Sequence, residues 1–145
     1  MGGVEGSGVI YRLSPSGQQT VLYTFTGGND GGIPGDVIID PAGNVYGSTY
    51  GGGTAGFGVV YEVGSSGQES VLYSFPGGPG GALGGSSLYR DREGDLYGTT
   101  IAGGGASYEA GGGVVFELDT EGNYTVLYRF TGGAGVPLEG DAGVP

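Results

Sequence analysis

Carboxylates and hydroxyls are the groups in this chain best equipped for chemistry, because it contains no His, Cys or Lys. Two acids stand out by their spacing. Asp40 opens the run Asp40-Pro41-Ala42-Gly43-Asn44-Val45-Tyr46-Gly47-Ser48-Thr49, and Asp91 opens Asp91-Arg92-Glu93-Gly94-Asp95-Leu96-Tyr97-Gly98-Thr99-Thr100, 51 residues later. Two acids at equivalent places in neighbouring repeats could share acid–base work. Their surroundings favour another role, since an Asp ahead of a Gly-Asn or Gly-Asp pair accepts backbone N–H bonds and fixes a turn. Asp40, Gly43, Asn44, Asp91, Gly94 and Asp95 are therefore expected to be structural turn residues. Ser and Thr nucleophiles need a base, and the usual ones are missing. No catalytic residue is assigned, and the chain reads as a protein that is not an enzyme.

One loop could hold a cation. Gly27-Gly28-Asn29-Asp30-Gly31-Gly32 offers oxygen ligands on a flexible backbone, which suits a single calcium ion at Asp30. The equivalent loops, Gly77-Gly78-Pro79-Gly80-Gly81 and Gly132-Gly133-Ala134-Gly135, carry no acid, so a repeating calcium site is not expected. The full EF-hand spacing is also absent, and no other cofactor is expected. Gly51-Gly52-Gly53 and Gly103-Gly104-Gly105 lack the Lys of a P-loop and read as loops. Tyr50, Phe57 and Tyr108 lie in the stretches 50–57 and 101–112, which differ between copies and could carry ligand specificity. Aromatic faces there could stack on sugar rings, which makes carbohydrate a candidate ligand.

Charge narrows the partners. Fifteen acidic residues against four arginines leave a net charge of −11. That balance repels phosphate backbones and anionic lipid surfaces, so neither nucleic acid nor membrane insertion is expected. No apolar run reaches the length of a membrane span. Met1-Gly2-Gly3-Val4-Glu5 has no basic region and no apolar core, so no signal peptide is expected.

The elements that must position these residues are strands. The 39 glycines and 7 prolines would suit a disordered chain, but 37% apolar residues with 11 Tyr and 5 Phe do not. Glycine here punctuates short strands. Gly8-Val9-Ile10-Tyr11-Arg12-Leu13 recurs as Gly58-Val59-Val60-Tyr61-Glu62-Val63 and Gly113-Val114-Val115-Phe116-Glu117-Leu118, at offsets of 50 and 55. Val21-Leu22-Tyr23-Thr24-Phe25 recurs as Val71-Leu72-Tyr73-Ser74-Phe75 and Val126-Leu127-Tyr128-Arg129-Phe130 with the same offsets.

The apolar period is two, which is strand spacing. Val9, Tyr11 and Leu13 should share a face opposite Ile10 and Arg12. Val21, Tyr23 and Phe25 should share one opposite Leu22 and Thr24. Each lesser face keeps an aliphatic residue, so both faces of the sheets are expected to be covered by similar sheets. Turns ending in Gly17, Gly43, Gly67, Gly94 and Gly122 should join the strands as hairpins.

One full unit then holds four antiparallel strands, A (36–40), B (44–50), C (58–63) and D (69–75). The expected fold is all-β, with β-propeller-like blades, about two and a half to three per chain. A β-solenoid (parallel β-helix) ranks second. The chain 1–145 is one repeat domain, with units of about 8–57, 58–112 and 113–145, the last truncated. C and D occur three times and the A–B hairpin twice. The chain is therefore expected to be a piece of a longer array, or to be completed by copies of itself in a ring or filament.

Taken together, Gly-Val-Val-Tyr/Phe, Val-Leu-Tyr-x-Phe-x-Gly-Gly and Asp-x-x-Gly-Asn/Asp-Val/Leu-Tyr-Gly-Ser/Thr-Thr resemble the GloVer repeat, from Gly8 to about Gly133. That resemblance implies a bacterial surface or secreted protein of propeller-like fold, with no family catalytic residues to carry over. The expected role is a non-enzymatic structural or adhesive module of an extracellular or cell-surface assembly that associates with itself. The alternative is a lectin-like or small-ligand-binding propeller.

Overall fold

The structure, a computed structural model, describes residues 6–105 and 111–130. Among them, ten strands build three antiparallel sheets. The first sheet is the hairpin β1 (Val9–Leu13) and β2 (Gln19–Thr24). The second is β3 (Gly32–Ile39), β4 (Val45–Gly51), β5 (Val59–Val63) and β6 (Glu69–Ser74). The third is β7 (Tyr89–Arg90), β8 (Leu96–Thr99), β9 (Val114–Leu118) and β10 (Tyr124–Arg129). In both four-stranded sheets each strand pairs with its neighbour in the chain, so each is a meander. No helix of the described residues is long and apolar enough to cross a membrane.

The turn glycines do what the hairpins need. Gly17, Gly43, Gly67, Gly94 and Gly122 all have φ between +85° and +101°, a region that costs glycine little. In each turn the glycine N–H donates to the carbonyl three residues back, as Gly43 does to Asp40 at 2.9 Å.

Alternation along the strands sends neighbours into different cores. Val59, Tyr61 and Val63 of β5, with Val45 of β4, join Ile10 and Phe25 in a core between the first and second sheets. Val60 and Tyr46 point the other way. They join Phe75, Leu88, Leu96, Val114, Phe116 and Leu118 between the second and third sheets. The middle sheet is thus covered on both faces, as its two-sided apolar pattern requires. Aromatic rings carry each junction. Phe25 meets Tyr61 edge-on at 4.9 Å between centroids, Phe75 meets Phe116 at 5.5 Å, and Tyr73 stacks on Tyr124 at 3.9 Å. Such pairs add about 0.5–1.5 kcal/mol beyond their buried area.

One expectation fails in all three copies. Strict alternation would place Leu22 opposite Val21 and Tyr23. Instead Ile10 pairs with Tyr23 and Tyr11 with Val21, leaving Leu22 as an extra residue in a β-bulge. Leu72 and Leu127 are skipped in the same way. A bulge breaks the period of two and turns adjacent side chains toward one face. Leu22 and Tyr23 therefore both pack on the first core while Val21 is exposed.

Passage from sheet to sheet runs through a strained residue. Ile33 and Leu83, fifty apart, have φ of +56° and +57°. Non-glycine residues rarely adopt that region, and a β-branched one pays most. Each is held by a backbone bond to the preceding repeat, Ile33 N–H to the Ser7 carbonyl (2.7 Å) and Leu83 N–H to that of Phe57 (2.8 Å).

Candidate functional site

The acid-bearing turns come first, since they hold the strongest candidates. Asp40 Oδ1 accepts from the N–H groups of Ala42 and Asn44, both at 2.9 Å, and Oδ2 accepts from Asn44 Nδ2 at 3.0 Å. Asp91 Oδ1 accepts from the N–H groups of Gly94 and Asp95. Asp119 repeats the pattern with Glu121 and Asn123 in the β9–β10 turn, where the sequence had shown only a turn. Desolvation works to raise the Asp40 carboxyl. The Asn44, Ala42 and Tyr46 donors outweigh it and hold the group below the ordinary carboxylate range. Asp119 is lowered chiefly by Asn123, against a smaller desolvation. These carboxylates are held as hydrogen-bond acceptors of their own turns.

The turns are also tied to one another. Asn44 Oδ1 accepts from Ser65 N–H at 3.2 Å, and Asp95 Oδ1 accepts from Thr120 N–H at 3.0 Å. The residue after each turn glycine thus joins the A–B hairpin to the C–D hairpin of its own sheet. Tyr46 Oη lies between Asp40 (3.3 Å) and Glu62 (3.2 Å), and Tyr97 Oη between Asp91 (3.4 Å) and Glu117 (3.3 Å). Desolvation, then the Glu117 and Asp91 charges, pushes the Tyr97 phenol up to about 12, so it stays a donor at neutral pH.

Three hydroxyls of the Gly-Ser/Thr-Thr runs, those of Ser48, Thr49 and Thr100, are committed to the backbone. Thr49 and Thr100 are buried, and each accepts from a strand N–H (Val59 and Val114, both 3.0 Å). Each also donates to a carbonyl two residues on. Ser48 Oγ bridges to the next repeat, accepting from Gly85 N–H at 2.8 Å and donating to the Ser86 carbonyl at 3.1 Å.

Asp30 sits in a closed local network. Its Oδ2 accepts from Tyr23 Oη (2.9 Å) and Thr26 N–H (2.8 Å), and its Oδ1 from Thr26 Oγ1 (2.6 Å). Desolvation raises the carboxyl, but these donors lower it further and win. Among the described residues no group of three or more His, Cys, Asp or Glu side chains is arranged to hold a metal ion. Near Asp30 lies a feature the sequence did not show. Tyr61 Oη and Glu69 Oε1 are buried without a hydrogen-bond partner, and burial, then the Asp30 charge, raises the Glu69 carboxyl. Phe116 occupies the Tyr61 position in the next repeat, so the hydroxyl serves no repeated purpose.

The three loop aromatics part company. The Phe57 ring packs against the second core and lies where a side chain on Gly77 would go, 2.6 Å from an ideal Cβ. Tyr50 is 39% exposed, and its ring lies where a side chain on Gly85 would go. Tyr108 falls outside the described residues. A cleft between the second and third sheets holds about 380 Å³. It lies beside Arg90, whose guanidinium sits 5.5 Å over the Tyr46 ring.

With the repeating turns, hydroxyl bridges and bulges in place, the comparison with known families is direct. The sequence model of the Gloeobacter/Verrucomicrobia repeat matches residues 1–142. The chain belongs to that repeat family. No curated protein matches it. The membership agrees with the GloVer-type resemblance of the motifs and extends it to both sides of the span 8–133. Within the Gloeobacter/Verrucomicrobia repeat, Tyr46 and Tyr97, and Thr49 and Thr100, have equivalent partners in successive copies, and Asp40 and Asp91 both accept from the N–H four residues on, so the repeated motif is a set of bonds that close and join hairpins.

Proposed function

We propose that the chain is a non-enzymatic structural module of an extracellular or cell-surface assembly, and that it associates with copies of itself. The observation that carries this reading is the unequal cover of the three sheets. In the middle sheet strand β5 is buried on both faces, while Tyr11 and Leu13 of β1 and Phe130, just after β10, are exposed although their counterparts Tyr61, Val63 and Phe75 are buried. Each sheet in this reading is a propeller-like blade, consistent with meanders whose order in space follows the chain. Exposed apolar faces that match buried ones elsewhere in the same molecule favour head-to-tail contact, which closes as a ring or runs on as a filament.

The turn carboxylates and hydroxyls support the non-enzymatic part, since each is engaged by its own hairpin or the next. Light scattering across a concentration series tests the association. A mass that rises in steps of the chain mass is expected, and a monomer throughout the micromolar range overturns it. A glycan array run beside it is expected to be blank, and a specific hit would move the reading to a lectin-like module.

A further inference from the structure

Among the described residues strand β1 has a free edge where its two equivalents do not. β5 pairs with β4 in the register Val45↔Val63, Tyr46↔Glu62, Gly47↔Tyr61 and Ser48↔Val60. β9 pairs with β8 as Leu96↔Leu118, Tyr97↔Glu117, Gly98↔Phe116 and Thr99↔Val115. Among the described residues β1 pairs with β2 alone. Beside that edge lies a cavity of about 480 Å³, lined on one side by Tyr11, Arg12 and Leu13 and on the other by Val37, Ile39 and Val45. Val37 and Ile39 are exposed there, 41% and 68%.

The two filled sites state what fits. In both, the aromatic of strand C lies over the glycine of strand B. The Tyr61 hydroxyl lies where a Cβ on Gly47 would go, and the Phe116 ring is 2.7 Å from an ideal one on Gly98, so a side chain at either place would have to displace the aromatic. Tyr11 is the third such aromatic, and it is 56% exposed. The neighbouring position differs in charge. Glu62 and Glu117 share the Tyr46 and Tyr97 hydroxyls with the turn acids Asp40 and Asp91, whereas β1 carries Arg12. A cation there complements an incoming hairpin that begins with Asp, in a chain whose net charge is −11.

We infer that the β1 edge is an acceptor for a β-hairpin of the pattern Asp-x-x-Gly-Asn/Asp-Val/Leu-Tyr-Gly-Ser/Thr-Thr, docked antiparallel to β1 with its glycine over Tyr11 and its leading Asp toward Arg12. Backbone bonds along an open strand supply the affinity, and the glycine–aromatic contact supplies the selectivity. This deepens the self-association reading by naming the chemistry of the segment that completes the first sheet, and it rests on that reading only for the source: both hairpins of this pattern already pair within the chain, so a copy supplies one only by exchanging it.

The test adds a synthetic peptide of residues 32–51 to the full chain, at concentrations below any self-association seen by light scattering, and follows amide exchange of β1. The expected result is slowed exchange at the β1 amides not bonded to β2. Exchange should be unaffected by a peptide carrying Gly47→Val, whose binding is weakened by roughly tenfold or more. Tyr11→Ala in the chain, at an exposed position that leaves folding intact, should weaken the native peptide likewise. Unchanged β1 exchange, or equal protection by the Gly47→Val peptide, overturns the inference. The outcomes separate cleanly. A chain that associates but ignores the peptide sinks the acceptor edge alone, and a chain that binds the peptide but stays monomeric sinks the self-association alone while supporting the acceptor edge.

Discussion

Strands β1 and β5 carry nearly the same residues and live in opposite surroundings. Gly8-Val9-Ile10-Tyr11-Arg12-Leu13 and Gly58-Val59-Val60-Tyr61-Glu62-Val63 both open a hairpin, and both oppose the same bulge. Tyr61 and Val63 are fully buried, while Tyr11 and Leu13 are more than half exposed. The residues do not explain this; the neighbours do. β5 has β4 on its edge and a sheet on each face, whereas among the described residues β1 has no strand on that edge and only the second sheet packed against it. Burial in this molecule is a property of a strand's place in the stack. Apolar side chains that look equivalent along the chain therefore contribute unequally to stability, because area leaves water only where a neighbour covers it.

The largest expected effect compares the aromatic that ends each D strand. Phe75→Ala empties a site packed by Tyr73, Phe116 and Tyr124 and should cost about 3–5 kcal/mol, read as a drop in the urea midpoint. Phe130→Ala, at the half-exposed equivalent, should cost under about 1 kcal/mol in the monomer. Equal losses would break the comparison by showing that Phe130 is covered.

A smaller and opposite effect is expected at the strand C aromatics. Tyr61→Phe removes a buried hydroxyl that has no partner, at a position where the next repeat already holds Phe116. It should raise stability by about 1 kcal/mol, while Tyr11→Phe in water should change it little. A destabilised Tyr61→Phe chain would mean that the hydroxyl has a partner, such as a bound water.

The smallest effect concerns acid. Asp30, Asp40 and Asp119 are held below the ordinary carboxylate range in the folded chain. A depressed folded pKa contributes stability that is fully present above the unfolded value, near pH 4, and lost as pH falls through the folded value. Glu69 has the opposite sign. Its raised pKa favours the folded state below the ordinary Glu range, and that contribution fades as pH rises through the folded value. Urea midpoints measured from pH 2 to 7 should fall on the acid side. Asp40→Asn should shallow that fall, and Glu69→Gln should flatten the slope above the ordinary Glu range while leaving the acid limb alone. An acid limb untouched by Asp40→Asn would show that the turn bonds carry no net preference for the charged form.

Much of the candidate site was legible because its bonds are short in sequence. Asp40 and Asp91 reach N–H groups two to four residues on, so the Asp-x-x-Gly-Asn/Asp spacing already contains the turn. The partner of Asn44 or Asp95 lies more than twenty residues away on another hairpin, and nothing local marks it. The same holds for Ser48, whose bonds reach Gly85 and Ser86 in the next repeat. Asp30 looked open because its loop is rich in glycine, yet two of its donors come from Thr26 and a third from Tyr23 on the preceding strand. Phe57 sat in a variable loop, but folding turns its ring onto the second core. The bulges at Leu22, Leu72 and Leu127 were hidden for another reason. An inserted residue preserves the apolar composition and changes only the register, which depends on the partner strand.

By itself the amino-acid sequence determined the strands, their turns and the repeat that links them, since all of these follow from backbone sterics and side-chain order within about fifty residues. Only the tertiary structure decided which faces are dry, which hydroxyls bridge repeats and which edge stays open among the described residues. Those depend on whether a neighbouring sheet is present to exclude water and to meet each N–H and carbonyl. β1 and β5 show the division most plainly, for one pattern yields a core strand in the second sheet and an acceptor edge in the first.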